Sequence, residues 1–220
     1  YTDDLLWLPY VASKYASFTG DHEIFDIELP YIVSPPLRDN ERDRYERPEK
    51  SKYRSSLYIH CVKAIERSLE LGSHGLPLMG GGDWNDGMNE VGQDGGESVW
   101  LGMFLSVVLD SFAPIATRMG DLSGASKYRR IRDELIASVE KCFDSDKYLR
   151  AFFSDGKEVG DDGFTDILPQ AFSVFAKCDE KRSKTALKTA FKRLFLPENG
   201  TFLLLSPPFS RPSEREVGYI

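Results

Sequence analysis

Residues 75–100 read GLPLMGGGDWNDGMNEVGQDGGESVW. Glycine is too frequent here for a helix or a strand, because it gives up more backbone freedom on ordering than any other residue. Gly80, Gly81 and Gly82 allow a tight turn and let a ligand approach the main chain. Carboxylates and indoles crowd into the same stretch, with Asp83-Trp84-Asn85-Asp86 at its centre and Glu97 and Trp100 at its end. An indole face stacks on the apolar face of a pyranose, while carboxylate and amide oxygens accept its hydroxyl protons. The composition therefore points to a loop on the rim of a sugar-binding cleft. Glycosidic cleavage needs a carboxylic acid to protonate the leaving oxygen, and a pocket walled by Trp and backbone favours the protonated form of such an acid. The competing reading is an ordinary acidic surface turn. A calcium loop does not fit, because the required D-x-[DN]-x-[DN]-G spacing is not met and no Glu stands at the twelfth position.

The stretch sits between helical patterns. Before it, Leu57, Cys61, Ile65 and Leu69 share one face of a helix that Gly72 ends. After it, ESVWLGMFLSVVLDSFAPIATRMG (97–120) is apolar nearly all round, as for a helix buried on most sides. Near the start, Leu5, Leu8, Val11, Ala12, Tyr15 and Ala16 have helical spacing, and Gly20 is a natural stop. Asp21 reads as the cap of a short helix in HEIFDIELPYI (22–32), and residues 33–52 as a charged, proline-bearing loop. Downstream, Tyr128, Ile131, Leu135 and Val139 line an amphipathic helix. KYLRAFF (147–153) suggests a short strand, TDILPQAFSVFAKC (165–178) and EKRSKTALKTAFKRLFL (180–196) two more helices, and the tail an extended segment.

No strand alternates with helix in the rhythm of a parallel sheet. Seven or so helices in paired succession predict an all-α fold, a helical-hairpin array curled into an α/α barrel, with long loops and at most a short β-hairpin. The fixed periods of exact-repeat proteins are absent.

The 220 residues carry a net charge of -7, which argues against nucleic acid as a partner. Three scattered cysteines (Cys61, Cys142, Cys178) read as reduced core thiols. The sequence shows no signal peptide and no apolar run long enough to cross a membrane, so a cytoplasmic location without membrane contact is expected. His22, His60 and His74 share no short motif, and no metal site is expected. Both ends are apolar, and Tyr1 is not Met, so residues 1–220 read as part of one larger domain.

Five segments together carry a family resemblance: TDDLLWLPYVASKYASFTGD, HGLPLMGGGDWNDGMNEVG, GGESVWLGMFL, YLRAFFSDGKEVG and DILPQAFSVFA. They resemble the cellobiose phosphorylase family of inverting β-glycoside phosphorylases. The likeness is strongest to two branches, the 1,2-β-oligoglucan phosphorylases and the phosphorylase-like region of cyclic β-1,2-glucan synthases. The resemblance implies a partial (α/α)6 barrel and reversible phosphorolysis of a β-linked gluco-oligosaccharide, giving α-glucose 1-phosphate. It implies no cofactor, with inorganic phosphate as co-substrate. It makes Asp86 the general acid and places Asp83, Trp84 and Asn85 in the sugar site. Asp3 and Asp4 match a glucose-binding Asp-Asp pair, and Gln170 matches a position near the site. Phosphate binding belongs to a downstream segment in this family, so the resemblance assigns it to no residue here. The upstream β-sandwich is absent too, and a homodimer of the full-length protein is left open.

Two other readings stand beside this one. An inverting hydrolase would need a second carboxylate about 6.5–9.5 Å from Asp86 to activate water, and Asp3, Asp4 and Asp162 are the candidates. A non-catalytic module for glucan binding or chain-length control would need neither. Asp3-Asp4 could equally be an ordinary helix cap, and Glu97 could simply favour a helix N-terminus.

Overall fold

A computed structural model describes residues 2–38, 41, 44–160, 163–209, 216–218 and 220. The expected second carboxylate Asp162, the chain start at Tyr1 and parts of the 33–52 loop and of the tail lie outside the described residues. Six α-helices carry the domain: α1 (Asp4–Thr19), α2 (Leu57–Arg67), α3 (Val99–Arg118), α4 (Leu122–Lys141), α5 (Ile167–Phe175) and α6 (Glu180–Leu194). Side chains cap most of them where the chain changes direction. Ser56 accepts from the Ile59 amide, Ser98 from Leu101, Asp121 from Gly124, Asp166 from Leu168, and Asp179 from Lys181 and Arg182.

Helix α3 is the axis of the packing, in contact with α1, α4 and α5. Its residues Trp100, Leu101, Phe104, Val108 and Phe112 join Leu6, Phe25, Tyr58, Ile65 and Tyr128 in the main core. Phe112 is surrounded by aromatic rings, with centroids 5.5 Å from Tyr58, 5.8 Å from Tyr128 and 6.3 Å from Phe25. Burying side chains of this size contributes about 1.5–3 kcal/mol each. A second cluster joins Leu76, Val99, Met103, Val139, Tyr148 and Phe152.

The strand content exceeds the expected single hairpin. The described residues hold five two-stranded antiparallel ladders. The longest pairs β1 (Glu28–Val33) with β2 (Glu49–Ser56). Segment 22–32, expected as a short helix, is instead a 3₁₀ turn (Glu23–Asp26) running into β1. Its β-branched and aromatic residues favour an extended ribbon once a partner strand is at hand. Asp21 does not cap that turn; its carboxylate accepts from the Tyr15 hydroxyl. The remaining ladders are two residues per strand: β3 (Glu97–Ser98) with β6 (Ala151–Phe152), β4 (Phe143–Asp144) with β5 (Lys147–Tyr148), β7 (Thr165–Asp166) with β10 (Leu205–Ser206), and β8 (Phe195–Leu196) with β9 (Thr201–Phe202). They are too short to make a sheet layer and serve to clip loops together.

Two expectations about apolar helices are corrected. In α1 the buried side chains are Leu6, Pro9, Ala12, Ser13 and Ala16, while Leu5, Leu8, Val11 and Tyr15 are exposed. Both sides of this helix are apolar, so spacing alone does not tell which one packs. Helix α3 is long and apolar enough to cross a membrane, with a mean hydropathy of 1.8, contrary to the sequence reading; 78% of that window is buried inside the domain, as for a core helix.

Cys61, Cys142 and Cys178 are free and buried, and burial pushes each thiol up to about 12. The thiolate is the reactive species, and at about pH 8 only about one part in 10⁴ of such a thiol is ionised. Native protein at that pH is therefore expected to resist an aromatic disulfide reagent, with all three thiols reacting once denaturant is added. Rapid labelling of the native chain would contradict the buried placement.

Candidate active site

The glycine-rich stretch is an ordered loop folded back on itself between α2 and α3. Gly80 takes φ +61°, and a Cβ on Gly92 would collide with the Gly80 carbonyl oxygen, so two backbones meet where no side chain fits. The amide of Met79 donates to the Gly96 carbonyl at 2.8 Å, closing the loop at its base. Beneath it, Met79, Met88 and Val91 are fully buried against Ala151, Val159 and Val217. The loop thus has a small core of its own. Glu97 fastens the stretch entering the loop: its carboxylate accepts from the amides of His74 and Leu76 at 3.1 Å and from His74 Nδ1 at 2.8 Å. That is a tie across the loop, not the helix-dipole role that its position before α3 suggested.

Arg150, just before β6, is a fully buried charged group. Its guanidinium is 1% exposed and grips Asp83 with two bonds, Nη1 to Oδ2 at 2.7 Å and Nη2 to Oδ1 at 2.6 Å. Its Nε donates to Asp166 Oδ2 at 3.0 Å, and Nη1 also reaches Ser98 Oγ at 3.2 Å. The Ser98 hydroxyl donates to Asp83 Oδ2 at 2.7 Å. Burial alone would lower the Arg150 pKa, but the two carboxylates hold it above the ordinary arginine value, so it stays charged. Burial pushes the Asp166 carboxyl up, opposed by the Arg150 charge and the Leu168 amide.

The central motif divides into held and presented residues. Asp83 is fully buried, and its Oδ1 also accepts from the Asn85 amide at 3.1 Å. Asn85 is 8% exposed, and its Oδ1 accepts from the Gly87 amide at 3.2 Å while its Nδ2 is buried without a partner in the described residues. Trp84 is 48% exposed, and Asp86, at the start of a 3₁₀ turn (Asp86–Met88), is exposed. Asp86 thus stands on an open surface of the described residues and not in the closed pocket that the composition suggested. Within the motif, Trp84 and Asp86 are the side chains exposed to meet a ligand.

The N-terminal segment is brought to the same loop. Thr2 donates through its amide to the Gly82 carbonyl at 3.1 Å and through its hydroxyl to the Met79 carbonyl at 2.9 Å. Asp3 stands at the N-cap of α1 but makes no cap bond. Its carboxylate accepts instead from Trp7 Nε1 at 3.1 Å, and Trp7 packs against Phe104 at 4.6 Å between centroids. Burial raises the Asp3 carboxyl, the Trp7 indole opposes that, and the charges of Asp4 and Asp83 raise it further. Asp4 lies exposed in the first turn of α1.

Gln170 is fully buried, and its amide is used by the protein. Oε1 accepts from the Tyr148 amide at 2.8 Å, and Nε2 donates to the carbonyls of Tyr148 and Asp166 at 2.9 Å. Asp83 and Gln170 thus both hold the scaffold behind the presented residues. Arg150 and Ser98 were not foreseen as part of the site. The signal was an arginine at the centre of the apolar strand pattern YLRAFF, since a buried arginine requires carboxylates to meet it. Among the described residues, no group of three or more His, Cys, Asp or Glu side chains is gathered to hold a metal ion.

Residues 1–220 match the family described as "Glycosyl hydrolase 94 superfamily, catalytic domain". The chain is 32% identical over its full length to cyclic beta-(1,2)-glucan synthase NdvB of Rhizobium meliloti (strain 1021), of which the match spans 8%. Over 96% of its length it is 26% identical to 3-O-beta-D-glucopyranosyl-beta-D-glucuronide phosphorylase and 27% identical to solabiose phosphorylase, both of Paenibacillus borealis. It spans 26% of the length of each of these phosphorylases.

Because its folded pKa is raised, Asp3 contributes stability that is present below the unfolded carboxylate range and lost as pH rises through the folded value. Carbon-detected NMR titration of the side chain is expected to give a midpoint above 3.8, and a higher one in Trp7→Phe, which removes the indole donor. An unchanged midpoint in Trp7→Phe would show that the indole does not hold this carboxylate.

Proposed function

The chain belongs to the glycosyl hydrolase 94 superfamily as catalytic-domain sequence, and from that premise we propose that it supplies the general acid and part of the sugar site for inverting phosphorolysis of a β-linked glucan. The observation that carries the reading is the division within Asp83–Asp86, where Asp83 is locked in the interior while Asp86 and Trp84 face outward. We further propose that the six helices are part of an (α/α)6 barrel whose remaining helices lie outside these residues. Helix α1 supports this with its exposed apolar side chains Leu5, Leu8 and Val11.

In this reaction an oxygen of inorganic phosphate attacks the anomeric carbon, and the bond from that carbon to the glycosidic oxygen breaks. Asp86 gives its proton to the departing oxygen, so the products are α-glucose 1-phosphate and a shortened glucan. Phosphate replaces the water and the base of a hydrolase, so one protein carboxylate suffices. Trp84 would stack on a sugar ring, and Asp3, Asp4 and Asn85 would contribute to binding its hydroxyls. The substrate would be β-1,2-glucan, in keeping with the printed name of the synthase relative. Similarity to phosphorylases along nearly the whole chain supports phosphate as the acceptor.

The full-length protein, given β-1,2-glucan and phosphate, is expected to release glucose 1-phosphate. Asp86→Asn keeps the size but removes the proton, and the rate is expected to fall at least about 10²-fold, the lower end of a general-acid contribution. Release of free glucose without phosphate dependence would favour a hydrolase, and near-wild-type activity of Asp86→Asn would move the acid elsewhere. Trp84→Ala is expected to weaken glucan binding more than it lowers the melting temperature; the reverse pattern would return Trp84 to a structural role.

A further inference from the structure

We propose that Arg150 is a positioning residue for the general acid, acting through Asp83 to fix the turn that carries Asp86. The inference rests on the reading of Asp86 given above and goes beyond it. The path is continuous. Arg150 holds both oxygens of Asp83 at 2.6 and 2.7 Å. Asp83 Oδ1 takes the Asn85 amide at 3.1 Å, and Asn85 Oδ1 takes the Gly87 amide at 3.2 Å. The Met88 amide then closes on the Asn85 carbonyl at 3.0 Å. Residue 86 is thereby held on both sides while its side chain stays exposed.

Arg150 is itself immobilised at three further points. Its carbonyl accepts from the Val99 amide at 3.1 Å, its Nε is tied to Asp166 at the start of α5, and its Nη1 reaches Ser98 at the start of α3. The turn is therefore referenced to the N-termini of two helices. A lysine could keep the charge but not two parallel bonds to Asp83 together with a third to Asp166, because only guanidinium has the planar fork. The arrangement fits a demand for position more than for stability. A buried ion pair adds little to stability over an apolar replacement, whereas a displacement of about 1 Å at a reacting group costs about 10² in rate.

The test compares two substrates of the full-length protein with phosphate as acceptor. β-1,2-Glucan needs its leaving oxygen protonated. β-D-Glucosyl fluoride does not, since phosphate forms the new bond to the anomeric carbon and fluoride departs with the electron pair of the old one. Arg150→Lys and Asp83→Asn are each expected to lower kcat on glucan about 10²-fold, with KM within about threefold, while glucosyl fluoride turnover changes by no more than about threefold. Should Arg150→Lys fail to fold, Asp83→Asn decides, because it leaves the Arg150–Asp166 pair in place. Equal losses on both substrates, a change confined to KM, or wild-type kcat in Asp83→Asn would overturn the proposal. A wild type that yields glucose in place of glucose 1-phosphate refutes phosphorolysis but not the clamp, because hydrolysis needs the same proton and the same substrate ratio reads it. A wild type that turns over neither substrate overturns both.

Discussion

The guanidinium of Arg150 lies inside the protein, where an isolated charge costs several kcal/mol in lost hydration. Two carboxylates meet it there, Asp83 from the glycine-rich loop and Asp166 from the start of α5, with the Ser98 hydroxyl between them. No two of these residues are neighbours in sequence. Asp83 and Ser98 come from the middle and the end of the glycine-rich stretch, Arg150 from just before β6 and Asp166 from the start of α5. Removing the Arg150 charge would leave two buried carboxylates without their cation, and breaking a buried pair in this way typically costs about 3–5 kcal/mol. Around this group the short ladders β3–β6 and β7–β10 and the caps of α3 and α5 fall into register.

That arrangement explains how a loop so rich in glycine is ordered. Glycine supplies the reversals and the close contact between Gly80 and Gly92, but it provides no burial. Order comes from below, through Met79, Met88 and Val91, and from the side, through Asp83 and Glu97. Within Asp83-Trp84-Asn85-Asp86 burial alternates, with the first and third residues held and the second and fourth presented. A rigid base with two exposed chemical groups is the form expected of a site that must place an acid and an aromatic face with small tolerance.

The N-terminal segment shows the same economy. Thr2 pins the backbone to the loop, and Trp7 holds the Asp3 carboxylate through its indole while its ring packs on Phe104 of α3. Asp3 lies at a helix start yet does no capping. Its orientation is set by a side chain one turn along, the indole of Trp7.

Much of this was legible in the residues. The existence of helices α2 to α6 follows from their apolar patterns, although α2 ends at Arg67 and not at Gly72, which leaves Leu69 beyond the helix. The Gly-Asp-Trp-Asn-Asp-Gly run drew notice by composition, but composition alone also fits an ordinary acidic turn. Local sequence did not settle which side of α1 packs, because Leu5 and Leu8 are as apolar as Leu6 and Ala12 and only the neighbours α2 and α3 choose between them. Nor did it separate Asp83 from Asp86, which are chemically identical and three residues apart. Their difference is made by Arg150, some distance away in sequence, whose own partners are fixed only when the loops meet. Residues 22–32 became a turn and a strand for the same reason, once β2 offered hydrogen bonds that no local pattern announces. Periodicity records which residues seek the interior; the pairing of buried charges and strand edges is a property of distant segments, and only the folded chain decides it.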